Sequence, residues 1–285
     1  MKRSRRLLGI LCLAIFVPLP ARALDGGAWS VPKGGWYTEL GSSRASSNRV
    51  FLSDARDAAI PSQGRAQHTE WTSYSEIGWK KNVALALGIP FETTTFRFFD
   101  DTRTISGLSD LQAGLRIKLR DGSPGMMLDA GWLAPLGYNK NVFPRLGDGR
   151  HKVYGALQAG ARIPGVPAFV QGGKGFLFVS EDGLTYSISH LDVGAWFGST
   201  LLIGARYADR VAWNAGNELG KLDESYQAGP VITVRVDDRL SVTAGAMRDW
   251  YGRNSLGTDE VYIAVGFQQN GPGPLQGFLG GHPRP

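Results

Sequence analysis

The stretch Leu111-Gln112-Ala113-Gly114-Leu115-Arg116-Ile117-Lys118-Leu119 decides the fold. Leu111, Ala113, Leu115, Ile117 and Leu119 alternate with Gln112, Gly114, Arg116 and Lys118. Successive side chains of a strand point to opposite faces, so this segment separates an apolar environment from a polar one. Wound as a helix, it would spread its charges around the whole surface. The next segment repeats the pattern: Met126, Leu128, Ala130, Trp132, Ala134 and Leu136 oppose Met127, Asp129, Gly131, Leu133 and Pro135.

Working outward, the alternation recurs along the chain. Val83, Leu85, Leu87, Ile89 and Phe91 share a face, as do Val153, Gly155, Leu157, Ala159 and Ala161. Leu191, Val193, Ala195 and Phe197 oppose His190, Asp192 and Gly194; Leu201, Ile203, Ala205 and Tyr207 oppose Gly204 and Arg206. Further apolar faces follow at Tyr226 to Val234, Leu240 to Ala246 and Val261 to Phe267. The segment near 166–178 fits either parity. Those near 36–44 and 69–79 alternate weakly, because Ser and Thr replace apolar residues.

The connections alternate too. Short turns lie near Lys80-Lys81-Asn82, Arg120 to Ser123, Pro164-Gly165, Gly198-Ser199 and Asp237-Asp238. Longer polar loops fall near 46–68, 97–108, 137–150, 179–183, 209–224 and 252–258. Short turns on one side and long loops on the other are the asymmetry of an outer-membrane barrel. A soluble sandwich has no reason to order its loop lengths. Aromatic residues fall into two bands of apolar parity. Trp36, Trp79, Phe197 and Phe267 sit at short-turn ends, and Trp71, Phe91, Trp132, Tyr207, Tyr226 and Trp250 toward the long loops. Two such girdles match the two bilayer interfaces. Lipid offers no partner for a strand edge, so the sheet must close. The predicted fold is an all-β antiparallel transmembrane barrel of about 12 strands, each crossing with roughly nine to eleven residues.

The ends of the chain set compartment and charge. Lys2 to Arg6 form a basic start, Leu7 to Leu19 an apolar run, and Ala21-Arg22-Ala23 a small-x-small site. That order reads as a secretory signal over 1–23. The barrel is expected over 24–268, followed by a Gly/Pro-rich flexible tail over 269–285. The single cysteine, Cys12, lies in the signal, so the mature chain needs no disulfide. Five basic residues and no acid lie in 1–23, so the +6 of the whole chain falls to +1 on cleavage. Nucleic-acid binding thereby loses its basic surface. The expected location is the outer membrane of a Gram-negative bacterium, with outer-membrane lipid and the barrel-assembly machinery as partners.

Gly107-Leu108-Ser109-Asp110-Leu111 with Gly114-Leu115-Arg116 resembles a pattern common in outer-membrane channel families. Gln227-Ala228-Gly229-Pro230, Val236 to Val242, Arg248-Asp249 and Tyr251-Gly252-Arg253-Asn254 add to it. Together these look like the XagA-like proteins and the barrels of the MetA pathway of phenol degradation. The resemblance is diffuse, covers most of the mature chain, and implies passage or binding of small molecules. One departure is the tail beyond Phe267. Such barrels usually end on the aromatic of the last strand, which is read by the assembly machinery.

Catalytic, cofactor and metal motifs are not evident. His68, His151, His190 and His282 are scattered, and Gly172-Gly173-Lys174-Gly175 lacks phosphate-loop spacing. In Ser187-Ile188-Ser189-His190-Leu191-Asp192, His190 and Asp192 face inward while both serines face out, so one strand alone supplies no nucleophile and base. The chain is therefore not expected to be an enzyme. The inward set is Glu76, Asp110, Arg116, Lys118, Asp129, Lys152, Arg162, His190, Asp192, Arg206, Arg235 and Asp249. A wide pore would keep these charges hydrated, and a narrow one would pair them. Small inward residues such as Gly114, Gly131, Gly194 and Gly245 favour a narrow channel. The leading expectation is a passive channel or binding barrel for small solutes. The alternatives are a closed structural or surface-exposed barrel tied to polysaccharide export, and an outer-membrane hydrolase of lipid or peptide.

Overall fold

The computed structural model describes residues 28–52, 54–60, 64–139, 144, 146–147, 149–180, 183–213, 224–253 and 255–269. The expected signal sequence and all but the first residue of the expected Gly/Pro-rich tail lie outside the described residues. The strands, in order, are β1 (Trp36–Phe51), β2 (Asp57–Ala59), β3 (Arg65–Lys80), β4 (Val83–Phe98), β5 (Asp101–Leu108), β6 (Asp110–Arg120) and β7 (Gly125–Pro135). They continue with β8 (Lys152–Ile163), β9 (Ala168–Val179), β10 (Thr185–Phe197), β11 (Leu201–Ala212), β12 (Glu224–Arg235), β13 (Leu240–Arg253) and β14 (Ser255–Gln269).

All pairings are antiparallel, and β14 closes the sheet on β1, with Trp36 opposite Gln269. The ring runs β1, β3, β4, β6 and on through β14, which makes a closed barrel of 12 strands. Strands β2 and β5 stand above it: β2 pairs with the end of β1, and β5 with the upper half of β4.

The burial pattern is inverted relative to a water-soluble protein. Leu40, Leu85, Leu87, Leu115, Leu157, Leu191, Ile203, Ile232 and Ile263 are exposed on the outer face, while Glu76, Arg116, Asp129, Lys152, Gln158 and Asp249 are buried inside. Such an outer surface is stable only against lipid. The expected girdle residues crown it, with Trp71 at 62% and Trp79 at 56% exposure. The ambiguous segment at 166–178 is settled by the lumen. Phe169, Gln171, Gly175 and Leu177 turn inward, and Val170, Lys174 and Phe178 turn out.

Three expected loops are largely strand. Strand β1 runs to Phe51 and β3 starts at Arg65; β4 and β5 form a hairpin through 97–108; and only residue 254 separates β13 from β14. The reason is physical. Above the bilayer both faces of a strand meet water, so the apolar alternation fades while backbone pairing continues. Hydroxyl pairs show the continuation: Thr93 with Ser106 at 2.9 Å, and Thr95 with Thr104 at 3.0 Å.

The inward glycines make room for rings that fill the lumen. The ring of Tyr154 lies flat over Gly131, where an added Cβ would sit 2.5 Å from its hydroxyl oxygen. Phe169 covers Gly194 and Tyr262 covers Gly245 in the same way. Gly131→Ala is therefore expected to lower barrel stability by about 1–3 kcal/mol through overpacking. Urea unfolding of the refolded barrel in lipid checks this, and an unchanged midpoint would mean that Tyr154 moves aside freely.

Candidate functional site: the lumen

The inner wall carries a belt of paired charges. Arg116 on β6 reaches across the small residues Ala84 and Ala86 of β4 to Glu76 on β3. Its Nε donates to Asp129 on β7 at 3.1 Å. Asp129 also accepts from Gln158 on β8, and Glu76 accepts from the Tyr74 hydroxyl at 2.7 Å. Glu76 and Lys152 are fully inaccessible to solvent, and Asp129 is 2% exposed. The outer wall is lipid-facing, so burial of this kind means that the lumen itself is filled at this level.

Lys152 pairs with Asp110 at 2.7 Å, and Asp110 also accepts from Tyr138 at 2.5 Å. Tyr138 belongs to the connection between β7 and β8, as does Leu146, whose carbonyl accepts from Ser109 at 2.7 Å. Tyr138 and Leu146 therefore lie against the inner wall at the long-loop end. Farther round, Arg206 donates to Asp192 at 2.8 Å, and Gln171 donates to the same carboxylate at 2.9 Å. Asp249 accepts from Ser225 at 2.7 Å and from the backbone N–H of Thr258 at 2.7 Å.

Other inward-parity residues lie at the margin. Arg162 is exposed at the short-turn end and lies outside the buried network; it stands too near the end of β8 to be enclosed. Lys118 pairs with Asp121 of the adjacent turn at 2.9 Å. Arg235 is half-buried, with its guanidinium 5.2 Å from the centre of the Trp196 ring. His190 is buried next to Asp192, and Ser187 and Ser189 occupy the opposite parity of β10.

The residues that sequence reasoning missed are neutral or come from the weak segments. Gln158, Gln171, Tyr74 and Tyr154 carry no charge and so stand outside the charged inward set, although Tyr154 and Gln158 share the polar parity of Lys152. Glu39, Glu70 and Glu92 lie where Ser and Thr blur the alternation. The largest omission is the segment before β1. Ala28, Ser30 and Val31 are buried. The Ala28 N–H donates to Gln171 on β9 at 3.3 Å, and Trp29 lies against Gly125 of β7 and Gly160 of β8. Val31 packs on Tyr37 and on Ala84 of β4, and the Pro32 carbonyl abuts Gly78 of β3. From β9 to β3 is nearly half of the ring. The segment thus crosses the short-turn mouth of the barrel from one wall to the other.

A closed barrel with a lipid-facing exterior and a charged, hydrogen-bonded lumen is a transmembrane β-barrel of the outer-membrane type. Among solved structures, the chain is similar to the COG4313 outer membrane channel from Pseudomonas putida F1. Identity is 11%, coverage is 86% of this chain and 98% of that one, and the TM-score is 0.69. It is also similar to the translocator domain of the autotransporter NalP from Neisseria meningitidis, at 11% identity, 93% and 94% coverage, and a TM-score of 0.51. At these identities the likeness is one of fold. No protein-family model matches the chain, and no curated protein sequence does.

Proposed function

We propose that the chain is an outer-membrane channel for small solutes, held closed in the state described here, and related to the XagA-like and MetA-pathway barrels that its motifs resemble. The observation that carries this reading is the chemistry of the obstruction. A barrel built only to be closed is most stable when packed with apolar side chains, because buried ion pairs seldom repay their desolvation. This lumen keeps Arg116, Lys152, Arg206 and their carboxylates in place of an apolar core. Its short-turn mouth is covered by the Ala28 to Pro32 segment, which the Ala28 N–H bond to Gln171 and the packing of Trp29, Val31 and Pro32 on the walls hold in place. Both features suit a polar path that opens by rearrangement of side chains and segment. The fold-level likeness to a channel from Pseudomonas putida F1 is consistent with this and adds no substrate.

Single-channel recording of the refolded mature barrel in a planar bilayer tests the reading. Mostly closed traces with discrete unitary openings and a measurable ion preference are expected. A correctly folded barrel that never conducts, at any voltage applied and in the opened variants considered below, would overturn it.

A further inference from the structure

On the inner wall near the long-loop end, four inward side chains of β3 and β4 form a square. His68 faces Thr94, and Glu70 faces Glu92. Directly opposed positions of paired strands bring Cβ atoms to about 4.5–5.5 Å, so the side chains can converge on one point. Here the donor atoms of His68, Glu70 and Glu92 all lie within 4.8 Å of one another. Glu70 and Glu92 are buried, and His68 is nearly so. We propose that His68, Glu70 and Glu92 form a binding site for a single divalent transition-metal ion on the lumen wall.

The imidazole is set for this. Its Nδ1 lies 3.0 Å from the Thr94 hydroxyl, which fixes the ring. With the proton on Nδ1, the lone pair of Nε2 points into the pair of carboxylates. That Nε2 is fully buried and has no hydrogen-bond partner. Its nearest carboxylate oxygen, Glu70 Oε2, is 4.0 Å away, too far for a hydrogen bond. An unmade bond on a buried nitrogen is costly, and a cation between the three donors turns mutual repulsion into coordination. The Thr72 hydroxyl donates to the other oxygen of Glu70, which holds that carboxylate with Oε2 on the side of His68. Outer-sphere hydrogen bonds of this kind orient metal ligands.

The donor set selects the ion class. One imidazole with two carboxylates suits Zn²⁺ or Mn²⁺ better than Ca²⁺ or Mg²⁺, which prefer oxygen alone. Bonds of about 2.0–2.2 Å place tetrahedral ligand atoms roughly 3.3 Å apart, within reach of small rotamer changes here. Three protein ligands leave a position facing the lumen. A Cβ added at Gly107, which pairs with Glu92, would meet Leu146, so the Leu146 side chain lies close above. Sequence spacing missed the site because Glu92 comes from the neighbouring strand.

The test uses the mature barrel, purified without a histidine tag, stripped with chelator and titrated with Zn²⁺ by calorimetry. Uptake of one ion per chain is expected, with affinity falling at least about 100-fold in both His68→Ala and Glu92→Gln. Glu39→Gln, whose carboxylate bonds Tyr37 outside the cluster, should keep the affinity. Co²⁺ in place of Zn²⁺ should give the visible absorption of a low-symmetry site in the wild type and lose it in the variants. Absence of saturable one-to-one uptake would overturn the proposal, as would equal affinity in the variants. Glu92→Gln alone decides the matter if His68→Ala fails to fold.

Discussion

The Arg116→Met barrel is expected to be less stable than the wild type by about 3–5 kcal/mol, the largest single-residue loss in the lumen. Arg116 is the shared cation of two carboxylates that solvent barely reaches. Removing it leaves Glu76 with Tyr74, and Asp129 with Gln158, as neutral partners only. Two uncompensated buried charges then remain, and desolvation is no longer offset. The loss is not a measure of what the pair contributes. Neutralising the whole cluster, in Glu76→Gln with Arg116→Met and Asp129→Asn, should recover most of the stability, because no charge is left stranded. Equilibrium unfolding in urea, read by tryptophan fluorescence in lipid vesicles, measures both. Equal stability of Arg116→Met and the wild type would mean that these carboxylates are already neutral or hydrated, and that the lumen is wetter than the structure shows.

The barrel and its parity were legible because the bilayer imposes a strict rule on each strand that crosses it. Leu111 to Leu119 must show one face to lipid and the other to the lumen, and the sequence carries that period openly. Legibility ended where the bilayer does. Thr93, Thr95, Thr104 and Ser106 pair through hydroxyls above the membrane and so resemble a loop. In the strongly alternating strands, parity pointed to the inward side of Arg116, Asp129, Lys152 and Asp192, which are buried; in the Ser- and Thr-rich strands it did not point to Glu39, Glu70 or Glu92. The partners of the inward charges did not follow from parity, because pairing depends on ring neighbours: Arg116 reaches Glu76 only because β4 presents alanines between them. The segment at Ala28 to Lys33 carries no period at all. Its place inside the mouth depends on glycines at Gly78, Gly125 and Gly160, scattered over three strands.

Gly78→Val is expected to expel that segment and raise the open probability of the barrel at least about tenfold, a shift of about 1.4 kcal/mol in the closing equilibrium. Gly78 lies on the inward face of β3 with its backbone paired to Gly35: N–H to carbonyl at 2.9 Å, while the Gly78 carbonyl accepts from Gly34 at 2.8 Å. A Cβ there would stand 1.8 Å from the Pro32 carbonyl oxygen and 2.6 Å from its carbon. The three nearest atoms all belong to Pro32 and Lys33, so the clash falls on the segment and not on the barrel wall. Valine also suits an extended strand, so the wall should fold normally. With Pro32 displaced, Val31 lifts from Tyr37 and Ala84, and the Ala28 bond to Gln171 loses its tether. Two readouts separate the steps. A cysteine placed at Ala84, fully buried beneath Val31, should react slowly with a polar thiol reagent in the parent and quickly beside Gly78→Val. Cys12 is the chain's one native cysteine, and a barrel refolded from residue 24 onward does not carry it. Planar-bilayer recording then shows whether an emptied mouth conducts. Fast labelling with unchanged conductance would place the closing element higher in the lumen, at the charge belt of Arg116 and Asp192. Slow labelling would mean that the segment holds its place despite the clash, and that its grip lies in Trp29 against Gly125 and Gly160.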